Sequence, residues 1–420
     1  MAVHNGTAYY IKSITQKDAD ASAESVAASM TSVMNMLMEG DNNFKVIAVA
    51  CDNALVNPAT YRLLTHSYDW LIHIPCTAHT IQIVVNKGLF KTAQIEPIII
   101  QIHSITSQFL ASKTARQALL KLAINEKKMT KNKILRIVPT RWSATLIACQ
   151  RILYLFDEIA YVMKKENMSD QIGDAFKHQL TSLIPILKPF KNATDMIQSD
   201  KVTLIAVHKA NQYMKSEMKK LTEEKHVFTR AIEKTMEKLD EQWACNTNEY
   251  ATRAVVYLSA IDGAVAEPDV MEWIIKLGAK YILAFNLSEH DNIDAIEADI
   301  QSQLNMFNTR TAPFDTSDTV MKRTKGDPRE YWNFYLGTKY ALVNFAIALL
   351  SICPTEASAE RSFSVQDMIH RPYRNRMLEE LIEAEMMIKF NTKRQQQQKG
   401  TYDSDMESDV DEVDENEQYD

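Results

Sequence analysis

Two acids and one thiol–imidazole spacing are the residues whose types could do chemistry in this chain. Asp52 directly follows the apolar run VIAVAC, so its carboxylate projects from the carboxyl end of a strand, where α/β sheets gather their ligands. A hard oxygen donor there suits Mg²⁺ or Mn²⁺. The same Asp-Asn pair also reads as a turn capping a helix that begins near Pro58. Glu360 lies in SAERSFS (358–364), just behind the apolar run YALVNFAIALLSIC. A carboxylate among core-bound neighbours is costly unless it is paired or bound to metal. Arg361 is adjacent, yet successive helix positions do not face each other. A metal, or another partner brought by the fold, is left to account for Glu360.

Cys76-Thr-Ala-His79 opens a helix and sets a thiol and an imidazole one turn apart on one face. Two such ligands begin a zinc site, but tetrahedral zinc takes four protein ligands, or three and water. No second pair with finger-like spacing occurs, so no zinc is expected. The alternative is a buried thiol and a hydrogen-bonded histidine that fix the helix against the sheet. Between 113 and 141 nine bases (Lys113, Arg116, Lys121, Lys127, Lys128, Lys131, Lys133, Arg136 and Arg141) stand against one acid, Glu126. Such a local surplus is a phosphate-binding footprint, and Trp142, next in line, could stack on an unpaired base. A solvated helix face ending at a core tryptophan fits the same pattern.

The elements that must position these residues follow from periodicity. TAYYIKSI (7–14) alternates like a strand, and Val26, Met30, Val33 and Leu37 share one helical stripe. FKVIAVACDN (44–53) reads as a strand buried on both faces, with WLIHI (70–74) as its neighbour. This alternation predicts an α/β layer. From about 93 to 310 the pattern is helical, with long segments at 141–166, 186–222 and 225–242. A polar loop (308–328) leads to a stretch whose aromatics, Tyr331, Trp332, Phe334, Tyr335, Tyr340 and Phe345, are too many for a solvated surface. From Lys393 onward the composition predicts a tail that cannot order itself.

The bulk numbers narrow the class. The net charge of −7 misleads, because ten acids and no base fall in 403–420; without them 44 acids face 47 bases, a body near +3. Any nucleic-acid contact must therefore rest on local clusters. Five scattered cysteines with no C-x-x-C pair argue against a disulfide framework and for a reducing compartment. The first residues carry no signal pattern, and the longest apolar run falls short of the roughly 20 residues of a membrane span, so no membrane partner is expected.

Four segments together resemble one family. ACDNALVNP, IPCTAHTIQIVVNKGL, VPTRWSATLIACQRIL, and ALLSICPTEASAERSFS with RPYRNRMLEELIEAEMMIKFN are similar, in order and rough spacing, to the hAT (hobo/Ac/Tam3) transposases and their domesticated relatives. The resemblance implies an α/β fold, predominantly helical overall: an RNase H-like mixed sheet core interrupted by a large all-α insertion. It divides the chain into 1–150 (first part of the core), 151–325 (helical insertion), 326–391 (core completion and dimerisation region) and 392–420 (disordered acidic tail). It implies a DDE site of two aspartates and a glutamate that binds two divalent ions, Mg²⁺ or Mn²⁺, for phosphodiester cleavage. Asp52 matches the second aspartate and Glu360 the glutamate, so both would be catalytic and metal-binding. Cys76 and His79 match a C-x-x-H element and Arg361 the arginine beside the glutamate. Trp142 matches a tryptophan that supports a flipped base; the base surplus, not the resemblance, offers Arg141, Lys127, Lys128, Lys131 and Lys133 as further DNA contacts.

The family's first aspartate falls upstream of the segment matching NGTAYYIKSI, and Asp18 and Asp20 sit in a polar connector, so truncation and impaired cleavage are expected. The implied function is that of a transposase-derived nuclear protein that dimerises and binds DNA. A fragment of an active transposase or nuclease, and a pure protein-interaction module, are the alternatives.

Overall fold

The computed structural model describes residues 2–4, 7–9, 11, 22–39, 44–54, 57–122, 134, 137, 142–168, 172–198, 202–259, 267–314, 319–320, 327–357, 359, 362, 369 and 379–398. It is predominantly helical. A hairpin of β1 (Ala2–His4) and β2 (Thr7–Tyr9) opens the chain, antiparallel from Ala2↔Tyr9 to His4↔Thr7. The strand read over 7–14 thus ends at Tyr9, and residues 12–14 lie outside those described. Helix α1 (Ala23–Glu39) then leads to β3 (Ala48–Cys51), α2 (Asn57–Ser67) and β4 (Ile72–Pro75). β3 and β4 pair in parallel, Ala48 opposite Ile72 and Cys51 opposite Pro75. Among the described residues the strands form two separate pairs.

The expected full burial of β3 does not hold. All four of its residues are half-buried, while β4 buries Ile72 and Ile74 and half-exposes His73 and Pro75. Among the described residues β3 pairs along one edge only, with β4. Beneath it α1 and α2 enclose a small core of Ala27, Met34, Leu64, Tyr68 and Leu71.

Helix α3 (Thr77–Ile83) passes through a π-turn and a 3₁₀ turn into α4 (Glu96–Ala111), α5 (Lys113–Leu120), α6 (Trp142–Tyr154), α7 (Phe156–Lys165), α8 (Asp174–Ile197), α9 (Leu204–Glu223) and α10 (Thr229–Asn246). The segment read over 186–222 is therefore two helices, and the first starts twelve residues earlier, at Asp174. α8 carries Pro185 and Pro189 inside it. An interior proline costs about 3 kcal/mol, but α8 buries nine side chains from Phe176 to Ile197, each aliphatic or aromatic one contributing about 1.5–3 kcal/mol. Burial outweighs the breaker.

A second group, α11 (Glu249–Leu258), α12 (Pro268–Ala284), α13 (Ile293–Thr309), α14 (Pro328–Asn333) and α15 (Ala341–Leu350), packs around Tyr331, Trp332, Phe314 and Phe345. Gly278 permits the close approach of three helices: a Cβ there would sit 3.0 Å from Phe345 Cδ1 and 3.1 Å from Ile300 Cδ1. Phe334, one of the six aromatics, is 57 % exposed. Helix α16 (Glu379–Gln398) runs alongside β2 and ends six residues beyond the expected start of the tail at 392. Glutamine, lysine and arginine are strong helix formers, so KRQQQQ extends a helix already begun.

Candidate functional site

The carboxyl ends of β3 and β4 form a junction of four chain segments. Asp52 follows β3, Cys76 follows β4 and is the N-cap of α3, and the end of α10 supplies Asn246. The fourth segment is 353–357, which runs on from α15. Its Pro354 carbonyl accepts a hydrogen bond from the Thr77 amide at 3.1 Å, and the Thr355 hydroxyl reaches the Ile197 carbonyl at 3.4 Å. Asn53 Nδ2 donates to Thr80 Oγ1 at 2.9 Å, and Thr80 Oγ1 in turn bonds the Asn246 carbonyl at 3.1 Å. The loop after β3, the start of α3 and the end of α10 are thereby tied together.

Asp52 performs the turn role. Its Oδ1 accepts from the Ala54 amide at 3.0 Å and from Asn57 Nδ2 at 2.6 Å, and Asn57 Nδ2 also reaches the Asp52 carbonyl at 2.9 Å. This is an Asx turn feeding the first residue of α2. Cys51 lies beside it, and burial together with the carboxylates of Glu356 and Asp52 pushes its thiol up to about 12. That thiol is protonated at neutral pH. Cys76 is buried, His79 half-buried, and none of the five cysteines is in a disulfide.

The field at Cys51 brings forward an acid that sequence reasoning passed over. Glu356 stands close enough to Asp52 for both to bear on one thiol. The signal was present in the sequence, since Glu356 precedes Glu360 by one helical turn. Glu360 and Arg361 lie outside the described residues, as do Lys127, Lys128, Lys131, Lys133 and Arg141. Among the described residues no group of three or more His, Cys, Asp or Glu is arranged to hold a metal ion. Two ions about 3.5–4 Å apart need several converging carboxylates, and the described donors fall short of that set.

Trp142 begins α6 and is buried in the first helical core with 4 % of its surface exposed. A base could stack on its indole only by displacing those neighbours. On α5, Arg116 Nη1 donates to the carbonyls of Phe109 and Leu110, closing the end of α4. Many cations of the helical block are matched locally: Lys215 with Asp240 at 2.5 Å, Lys220 with Glu217 at 2.5 Å, Lys238 with Glu241 at 2.8 Å, and Arg253 with Glu249, Glu267 and Asp269. Exposed pairs of this kind contribute about 0–1 kcal/mol each and leave little net charge on the surface. Among the described residues no helix is long and apolar enough to cross a membrane.

Comparison with known proteins identifies the C-terminal part of the chain. Residues 314–392 match the hAT family C-terminal dimerisation region, a likeness that supports a transposase-derived protein that self-associates. No curated protein matches the chain.

Proposed function

We propose that this chain is a hAT family member, a dimeric, DNA-associated protein of the nucleus that does not cleave DNA, and that its strand pairs are what remains of an RNase H-like core. The observation that carries the reading is the hydrogen bond from Thr77 to Pro354. It fastens the dimerisation region to the carboxyl end of the parallel strands, so self-association is joined to the place where a nuclease would hold its substrate. One feature supports the loss of cleavage: the Asp52 carboxylate is engaged in capping its own turn. Support for DNA comes from the base surplus between 113 and 141, the richest local positive charge in the sequence.

A second reading, a working metal-dependent nuclease, is favoured by one observation: the carboxylates of Asp52 and Glu356 both act on the Cys51 thiol at the end of one strand pair. Incubation of the full chain with supercoiled plasmid and Mn²⁺ separates the two. No nicking is expected; nicking that disappears in Asp52→Asn would establish the nuclease instead. DNA binding is expected to weaken steeply as salt rises, and to weaken further when Lys127, Lys128 and Lys131 are neutralised, with a smaller salt slope. Binding to no nucleic acid at any salt would leave a protein-interaction module.

A further inference from the structure

Helix α16 has two apolar faces and uses one of them. Ile382 and Met386, four apart, are 7 % and 0 % exposed, and the helix runs along β2. Leu381 and Ile388 are 56 % and 66 % exposed, and Ala384 between them is exposed too. Positions i, i+3 and i+7 lie within about 60° of one another on a helix, so Leu381, Ala384 and Ile388 form one stripe, well away from the buried face. Ile388 is the most exposed large apolar residue among those described.

We propose that this stripe is the seam on which a second copy of the chain docks. The inference rests on the self-association reading and names its surface. The occupant follows from the match: α16 lies mostly within 314–392, the region described as a dimerisation region. Of the other exposed large apolar residues described in that region, Met387 lies off the stripe on the same helix, while Phe334 and Leu336 sit on a turn, where Phe334 already packs edge-on against Tyr335 at 5.2 Å. The stripe is regular over two turns and holds a small residue at its centre. In a two-fold pairing the same patch meets itself. An antiparallel second helix crossing at Ala384 sets Leu381 of each copy against Ile388 of the other, and the alanines permit close approach. The Lys389 to Glu385 pair at 2.7 Å borders the seam.

The test is sedimentation equilibrium of the full chain beside Leu381→Glu/Ile388→Glu and Met387→Glu. Met387 is 47 % exposed but lies about 90° round the helix from the stripe. The double variant, carrying four buried charges per dimer, is expected to weaken association about 100-fold or more with an unchanged circular dichroism melt, and Met387→Glu to remain dimeric. A double variant that stays dimeric overturns the assigned seam and leaves self-association standing. A wild-type chain that is monomeric overturns both. Should the double variant fail to fold, Ala384→Cys decides: oxidation is expected to give a linked dimer absent from wild type, and no such band overturns the seam.

Discussion

The two large cores of this molecule are built on different principles. The first, from Ile81 to Leu239, uses one continuous stretch of chain, and its aromatics are six phenylalanines and one tryptophan set among aliphatic residues. The second draws on β4, the start of α9, and segments from 251 to 352, and its rings touch one another. Trp332 lies 5.2 Å from Phe307, 5.6 Å from Phe314 and 5.4 Å from Tyr331. It also donates from Nε1 to the Leu258 carbonyl at 2.7 Å. A core of dispersed aliphatics tolerates exchange of shape; a network of rings with directed hydrogen bonds holds distant segments in one arrangement. The second core therefore runs across the boundary expected near 325 and makes the dimerisation region continuous with the helices before it.

The sharpest way to break this contrast is Trp332→Ala, expected to cost about 3–5 kcal/mol and leave the Leu258 carbonyl unpaired. Hydrogen exchange should show α11 to α15 losing protection together. If only residues 327–352 lose it, the second core is two units. In the first core Ile186→Val is expected to cost about 0.5–1.5 kcal/mol in denaturant unfolding, with unchanged protection in α12 and α15.

The smallest effect is a pH dependence. Burial holds His73, His103, His208 and His226 below their ordinary value of 6.5. The folded state then binds fewer protons than the unfolded one, so stability is complete above about 6.5 and falls as pH drops below it. The melting temperature should decline between about pH 6.5 and 5.5, and protection should fall first in the first core, because three of the four lie on or beside α4 and α9. A flat profile would show these imidazoles free to charge in place.

Much of this architecture was legible in the sequence, for local reasons. β-Branched runs closed by Asp-Asn and Pro marked β3 and β4, and the aromatic excess after 330 marked a core. What was hidden depended on partners. The half-burial of β3 depends on what covers its two faces, and the long α8 on burial that overrides two prolines. At the candidate site Asp52 was found by its place after a strand, and both readings of it were visible. The choice of the capping role hangs on Asn57, whose amide matters only once the turn is formed. Glu356 was overlooked because its importance arises from Cys51, three hundred positions away.

The bond between Thr77 and Pro354 also sets a timetable. Its partners are 277 residues apart, the difference of their numbers, and a ribosome adding about 5–20 residues per second takes roughly 14–55 s to cover that interval. For that time the newborn parallel pair stands without the segment that seals its open end. A chain that stops short of residue 354 lacks the acceptor of the Thr77 amide and keeps that end of the strand pair unsealed.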